Sequence, residues 1–139
     1  RLTYWTRRII ARFSDLVFTL NPQSHSYGIK RATRYIQENF AERLQLVDVA
    51  ALVDLSPTYF SKLFKVETQM TFTEYVSKVR IEEAKRLLLS ETKCVGDIAE
   101  ICGFDDQSYF TKVFTRLVGV TPSRYRHMRG RVVKPDPKE

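Results

Sequence analysis

Two short runs of this chain gather hydroxyls and ammonium groups on one side: Thr58, Ser61, Lys62 and Lys65 in the first, then Ser108, Thr111, Lys112 and Thr115 in the second. On a helix these residues fall opposite Phe60, Leu63 and Phe64, and opposite Phe110, Val113, Phe114 and Leu117, whose i, i+3, i+4 spacing marks a core-facing side. Short hydroxyls beside one or two lysines make a narrow face with little bulk. Such a face can bring its donors to phosphates or base edges. An isolated lysine of this kind is ordinarily just solvated. Here Lys62 and Lys112 hold the same place in both runs, which favours a shared task.

The runs are part of a longer repeat. Tyr59, Phe60, Lys62, Phe64, Thr71 and Tyr75 return as Tyr109, Phe110, Lys112, Phe114, Thr121 and Tyr125. Upstream the offset drops by one: Asp48-Val49-Ala50 matches Asp97-Ile98-Ala99, and Leu55 matches Phe104. One residue is therefore inserted in the second copy, at Asp105 or Asp106. A unit of about fifty residues buries too little surface to be comfortably stable alone. Two small subdomains braced by what joins them are expected.

Local signals place the elements. Residues 46 to 53 read as a short helix with Leu46, Val49, Ala50 and Val53 inward. Ser56-Pro57 then gives a hydroxyl N-cap followed by proline at the first helical position. In the second copy, Gly103 supplies the left-handed conformation that a tight turn favours, while the first copy has Asp54 there and Gln69 where the second has Gly119. A longer helix spans Phe72 to Ser90, opened by Thr71 with Glu74 three residues on, the capping-box pattern. Its length is about 28 Å, comparable to the ~34 Å that separates successive major-groove segments on one face of B-DNA. Ile29 to Phe40 reads as a helix and Asn21 to Gly28 as a linker. Leu2, Trp5, Ile9, Phe13, Leu16 and Leu20 form an amphipathic stripe that either packs on a neighbouring domain or pairs two copies.

The composition favours polyanionic partners. The 139 residues carry 23 Lys and Arg against 16 Asp and Glu, a net charge of +7, with a pI of about 9.6. Counterion release and field steering then favour nucleic acid. Cys94 and Cys102 have no ligand-like spacing with His25 and His127, so neither a metal nor a disulfide is expected, and a reducing cytoplasmic compartment fits. Cys102 stands at the apolar position of Val53. No apolar stretch approaches a membrane span. Catalysis finds no support either: Glu82 and Glu83 are adjacent and diverge on a helix, and Glu82 is better placed to pair with Lys78 and Arg86. No phosphate loop or nucleophile motif is present. The remaining alternative is a helical adaptor that binds protein through residues 2–20.

These residues resemble the AraC/XylS family of bacterial transcription regulators, specifically its paired helix-turn-helix DNA-binding region. The likeness covers residues 29–129. It rests on Ser56-Pro57-Thr58-Tyr59-Phe60-Ser61-Lys62-Leu63-Phe64-Lys65, on Arg80, Ala84 and Leu87-Leu88, and on Ile98-Ala99. Its most specific portion is Gly103-Phe104, Ser108-Tyr109-Phe110, Phe114, Gly119, Thr121-Pro122 and Tyr125-Arg126. The resemblance implies an all-α fold of about seven helices, as two helix-turn-helix subdomains joined by a long linker helix, to which the periodicity adds an N-terminal amphipathic helix.

Carried over by position, the groove-facing residues are Thr58, Ser61 and Lys62 in the first copy and Gln107, Ser108, Thr111 and Lys112 in the second. The implied role is a sequence-specific DNA-binding regulator, an activator contacting RNA polymerase, with no cofactor and no metal. The expected boundaries are a helix and linker over 1–28, the bipartite domain over 29–129 (units 29–70 and 91–129 around the linker helix 71–90) and a disordered tail over 130–139. A fragment of a longer regulator is expected, with homodimerisation through residues 2–20 or an absent N-terminal domain.

Overall fold

The computed structural model describes residues 22–90 and 92–131. The amphipathic stripe of residues 2–20 and most of the expected tail lie outside them. Among the described residues there are seven helices and no strand. They are α1 (Pro22–Asn39), α2 (Leu46–Leu52), α3 (Pro57–Thr68), α4 (Phe72–Ser90), α5 (Val95–Ile101), α6 (Gln107–Val118) and α7 (Pro122–His127).

The linker expected over Asn21–Gly28 is helical from Pro22 onward. Proline suits a first helical position because its missing N–H would have had no intrahelical acceptor there. Gly28, which costs an exposed helix about 1 kcal/mol relative to alanine, is buried beside Ile29.

Side-chain caps open α3, α4 and α7, whereas the N-cap residues of α2 and α5, Gln45 and Cys94, make no such bond. Ser56 accepts a hydrogen bond from Tyr59 N at 3.3 Å, with Pro57 following. At α4 the capping box closes in both directions: Thr71 Oγ1 accepts from Glu74 N at 3.2 Å, and Glu74 Oε2 accepts from Thr71 N at 3.1 Å. Thr121 repeats the cap for α7, accepting from Arg124 N at 3.2 Å. In the turns, Asp54 and Gln69 adopt φ of 59° and 62°, as Gly103 and Gly119 do at 91° and 99°. The repeat thus imposes the same backbone on both copies, although the first lacks the residue that adopts it at least cost.

The chain divides into two compact units. The first holds α1 and Arg43–Val76, and the second holds Phe40–Glu42 and the chain from Ser77 onward. Within the first, α1 packs on α2 and α3. Phe60, Phe64 and Phe72 form a tilted and edge-on aromatic cluster with centroids 5.5 to 6.1 Å apart. Within the second, Ile81, Ala84, Leu87 and Leu88 of α4 join Ile98, Phe104, Phe110 and Phe114 in one core. Helix α4 therefore contributes core residues to each unit, from Phe72 and Val76 in one to Ile81 through Leu88 in the other.

Candidate nucleic-acid interface

Helix α3 separates its faces cleanly. Phe60, Leu63 and Phe64 are buried, while Thr58, Ser61, Lys62 and Lys65 are exposed. The buried phenylalanines fix the rotation of the helix about its axis, and that rotation turns the hydroxyls and the ammonium to solvent.

Helix α6 repeats the arrangement with a different cap. Asp106 Oδ1 accepts from Ser108 N at 2.9 Å, so Asp106 takes the N-cap role of Ser56 and Asp105 is the inserted residue. A carboxylate there also complements the positive end of the helix dipole. Phe110, Val113 and Phe114 are buried, and Gln107, Ser108 and Lys112 are exposed. Thr111 is only half-exposed, and its hydroxyl donates to Gln107 O at 3.0 Å. Thr115 likewise donates to Thr111 O at 2.7 Å. Both hydroxyl protons are thus engaged within the helix, leaving the oxygens as acceptors and the methyl groups as apolar contacts. Leu117, expected inward, is instead 46% exposed. It lies near the C-terminal end of α6, where Val118 rather than Leu117 packs against the core.

Lys62 follows the N-cap Ser56 by six residues, as Lys112 follows Asp106. The structure therefore gives the two lysines equivalent places, each opposite a buried phenylalanine pair whose rings are tilted at 5.5 Å and 5.8 Å. The tyrosines of the two copies differ: Tyr109 is 53% exposed and Tyr59 is half-buried.

The basic cluster after Thr121-Pro122 is not uniform. Arg124 and Arg129 are exposed, whereas Arg126 is half-buried and donates to Leu88 O at 3.1 Å. One residue that periodicity cannot single out is Arg80. Its Nε donates to Phe40 O at 2.8 Å, an NH2 donates to Glu42 O at 2.9 Å, and its guanidinium lies 5.6 Å from the centre of the Phe104 ring. It holds the segment after α1 beside the turn that precedes α6. Burial draws its proton affinity down, partly offset by the Asp105 carboxylate.

The acidic pair of α4 is likewise engaged. Glu82 pairs with Lys85 at 3.4 Å and Glu83 with Arg86, so the expected pairing of Glu82 with Lys78 and Arg86 gives way to i, i+3 partners, which lie as close as i+4 on a helix surface. Among the described residues no group of His, Cys, Asp and Glu is placed to hold a metal ion. No described helix is long and apolar enough to cross a membrane.

Known proteins carry the same organisation. The helix-turn-helix domain family matches residues 49–128. The regulatory protein PocR of Salmonella typhimurium is 42% identical over 108 residues, covering 78% of this chain and 36% of its own length. The C-terminal domain of AraT, a response regulator from Geobacillus stearothermophilus, superposes with a TM-score of 0.71 at 37% identity, over 79% of this chain and 92% of that one. The DNA-binding domain of AdpA, solved in complex with a target DNA, does so with a TM-score of 0.70 at 25% identity, over 74% of this chain and 94% of that one. With the duplicated cap, turn and buried phenylalanine pattern in place, this chain belongs to the AraC/XylS family of helix-turn-helix transcription regulators.

Proposed function

We propose that the chain binds duplex DNA sequence-selectively, with α3 and α6 entering adjacent major grooves, and that it regulates transcription. The carrying observation is the equivalence of Lys62 and Lys112, each exposed on a helix whose opposite side is buried phenylalanine. The DNA complex of the AdpA domain, to which this fold is similar, supports the same reading. Thr58, Ser61 and Lys62 are the contacts from α3, and Gln107, Ser108, Thr111 and Lys112 those from α6. Ser61 and Ser108 offer short donors, Gln107 both a donor and an acceptor, and Thr111 an acceptor and a methyl group. Arg124 and Arg129 are suited to phosphates.

The role we assign is that of a cytoplasmic activator that contacts RNA polymerase while α3 and α6 hold the operator. Self-association falls to residues 2–20 or to a further domain, since the apolar stripe Leu2, Trp5, Ile9, Phe13 calls for a cover. Curated relatives support a larger assembly of functions, because the chain spans 36% of PocR's length.

Salt dependence tests the proposal. A module making 6 to 10 phosphate contacts should lose affinity with a log–log slope of roughly −5 to −9. A slope near zero, or indifference to duplex, would refute DNA binding.

A further inference from the structure

Gly96 stands in the first turn of α5 and Gln107 in the first turn of α6, within the same compact unit. A Cβ placed on Gly96 would lie 2.8 Å from Gln107 Oε1 and 3.7 Å from its Cδ, with Cys94 Sγ at 3.9 Å. The Gln107 carboxamide thus occupies the space that a side chain at position 96 would fill. Oxygen and carbon cannot remain at 2.8 Å, so one group must move. The end of a flexible side chain moves far more easily than a helix backbone.

The other copy has different residues at the corresponding positions of the repeat. The positions equivalent to 96 and 107 hold Val47, 59% exposed, and Pro57 at the start of α3. Where the recognition-helix residue is a proline with no amide to place, the neighbouring helix carries a side chain. Where it is glutamine, the neighbouring helix is bare.

We propose that Gly96 is a positioning residue for Gln107: by leaving the first turn of α5 open it seats the Gln107 amide there and sets which base edge that amide reaches. This rests on α6 being a groove-entering helix. A glutamine amide discriminates bases only when its donor and acceptor are both aimed, as in its paired contact with adenine N6 and N7. The surface that confines the amide is therefore part of the selectivity.

Gly96→Ala tests this with the fold retained, since alanine at a helical position is favoured over glycine. In free protein, the side-chain NH2 resonances of Gln107, assigned by their loss in Gln107→Ala, should shift in Gly96→Ala more than any other side-chain amide. Unmoved Gln107 resonances would overturn the proposal. On a selected duplex, Gly96→Ala should weaken binding roughly tenfold, the order of one lost base contact, and alter preference at a single base pair. In the Gln107→Ala background the same substitution should change affinity by less than about twofold, because its effect runs through Gln107. An equal loss in both backgrounds would mean that Gly96 acts through α5 itself, and would also overturn the proposal. Absence of duplex binding by the unsubstituted chain would refute groove entry alone, while the spectral comparison would still decide whether Gly96 seats Gln107.

Discussion

Arg80 donates to Phe40 O at 2.8 Å, tying the middle of α4 to the segment that follows α1. The same guanidinium reaches Glu42 O and covers the Phe104 ring. Charged hydrogen bonds contribute more than neutral ones, and removing the donor leaves the part-buried Phe40 carbonyl without it. Arg80→Ala should therefore destabilise the chain by about 2 to 4 kcal/mol, read from the urea midpoint. Arg80→Lys should recover only part of this, because an ammonium cannot reproduce the guanidinium fork. An unchanged midpoint in Arg80→Ala would show that the two carbonyls find water at no cost.

The turn glycines should respond unequally to alanine. A Cβ at Gly119, with φ +99°, meets nothing within 4 Å, whereas one at Gly103, with φ +91°, meets Ala41 O at 2.9 Å and Phe40 O at 3.0 Å. Gly119→Ala should lose only the backbone preference, about 1 to 2 kcal/mol. Gly103→Ala adds a collision with backbone that cannot swing aside, and should cost roughly 3 kcal/mol or more. Conversely, Gln69→Gly should stabilise by about 0.5 to 1 kcal/mol, since Gln69 already adopts a φ of 62° that glycine reaches without penalty. Equal losses at the two glycines would contradict the packing around Gly103.

Burial, reinforced by the Glu83 carboxylate and opposed by Arg80 and Arg86, pushes the Cys102 thiol up to about 12. The unfolded thiol ionises at lower pH, so above that point the unfolded state releases a proton that the folded state keeps. Stability linked to Cys102 is thus fully present below the unfolded value and falls as pH rises toward about 12. Cys102→Ala should show a shallower alkaline decline than the parent. Under native conditions near pH 8, a thiol reagent should label exposed Cys94 and spare buried Cys102. Rapid labelling of both would contradict the burial.

Much of this architecture was legible in the sequence because local chemistry and the repeat pointed the same way. Ser56-Pro57 and Thr71 with Glu74 announced helix starts that the hydrogen bonds reproduce, and the alignment of Asp54 with Gly103 foretold a shared left-handed turn. Features set by tertiary packing were not legible. Gly28 read as a linker residue because only the fold shows that its position is buried. Leu117 fits a helical stripe, yet it stays 46% exposed. The contact of Gly96 with Gln107 joins two helices, so no periodicity within either could reveal it. Among the candidate contacts, sequence reasoning located the faces. The structure added that the Thr111 hydroxyl proton is bound to its own helix.

Lys112 is exposed in α6 at the place Lys62 holds in α3. If it reads a base, Lys112→Ala should weaken binding by ~1 to 3 kcal/mol and relax preference at one position. If it meets only phosphate, all sequences should weaken alike and the salt slope should fall by about one. Unchanged affinity and preference would remove it from the interface.

The most direct test of bipartite recognition is selection of bound sequences from a random duplex pool, using the unsubstituted chain. We expect two conserved blocks with centres about 10 base pairs apart, one for each groove-entering helix. A single uninterrupted block, or no enrichment over the starting pool, would contradict the account.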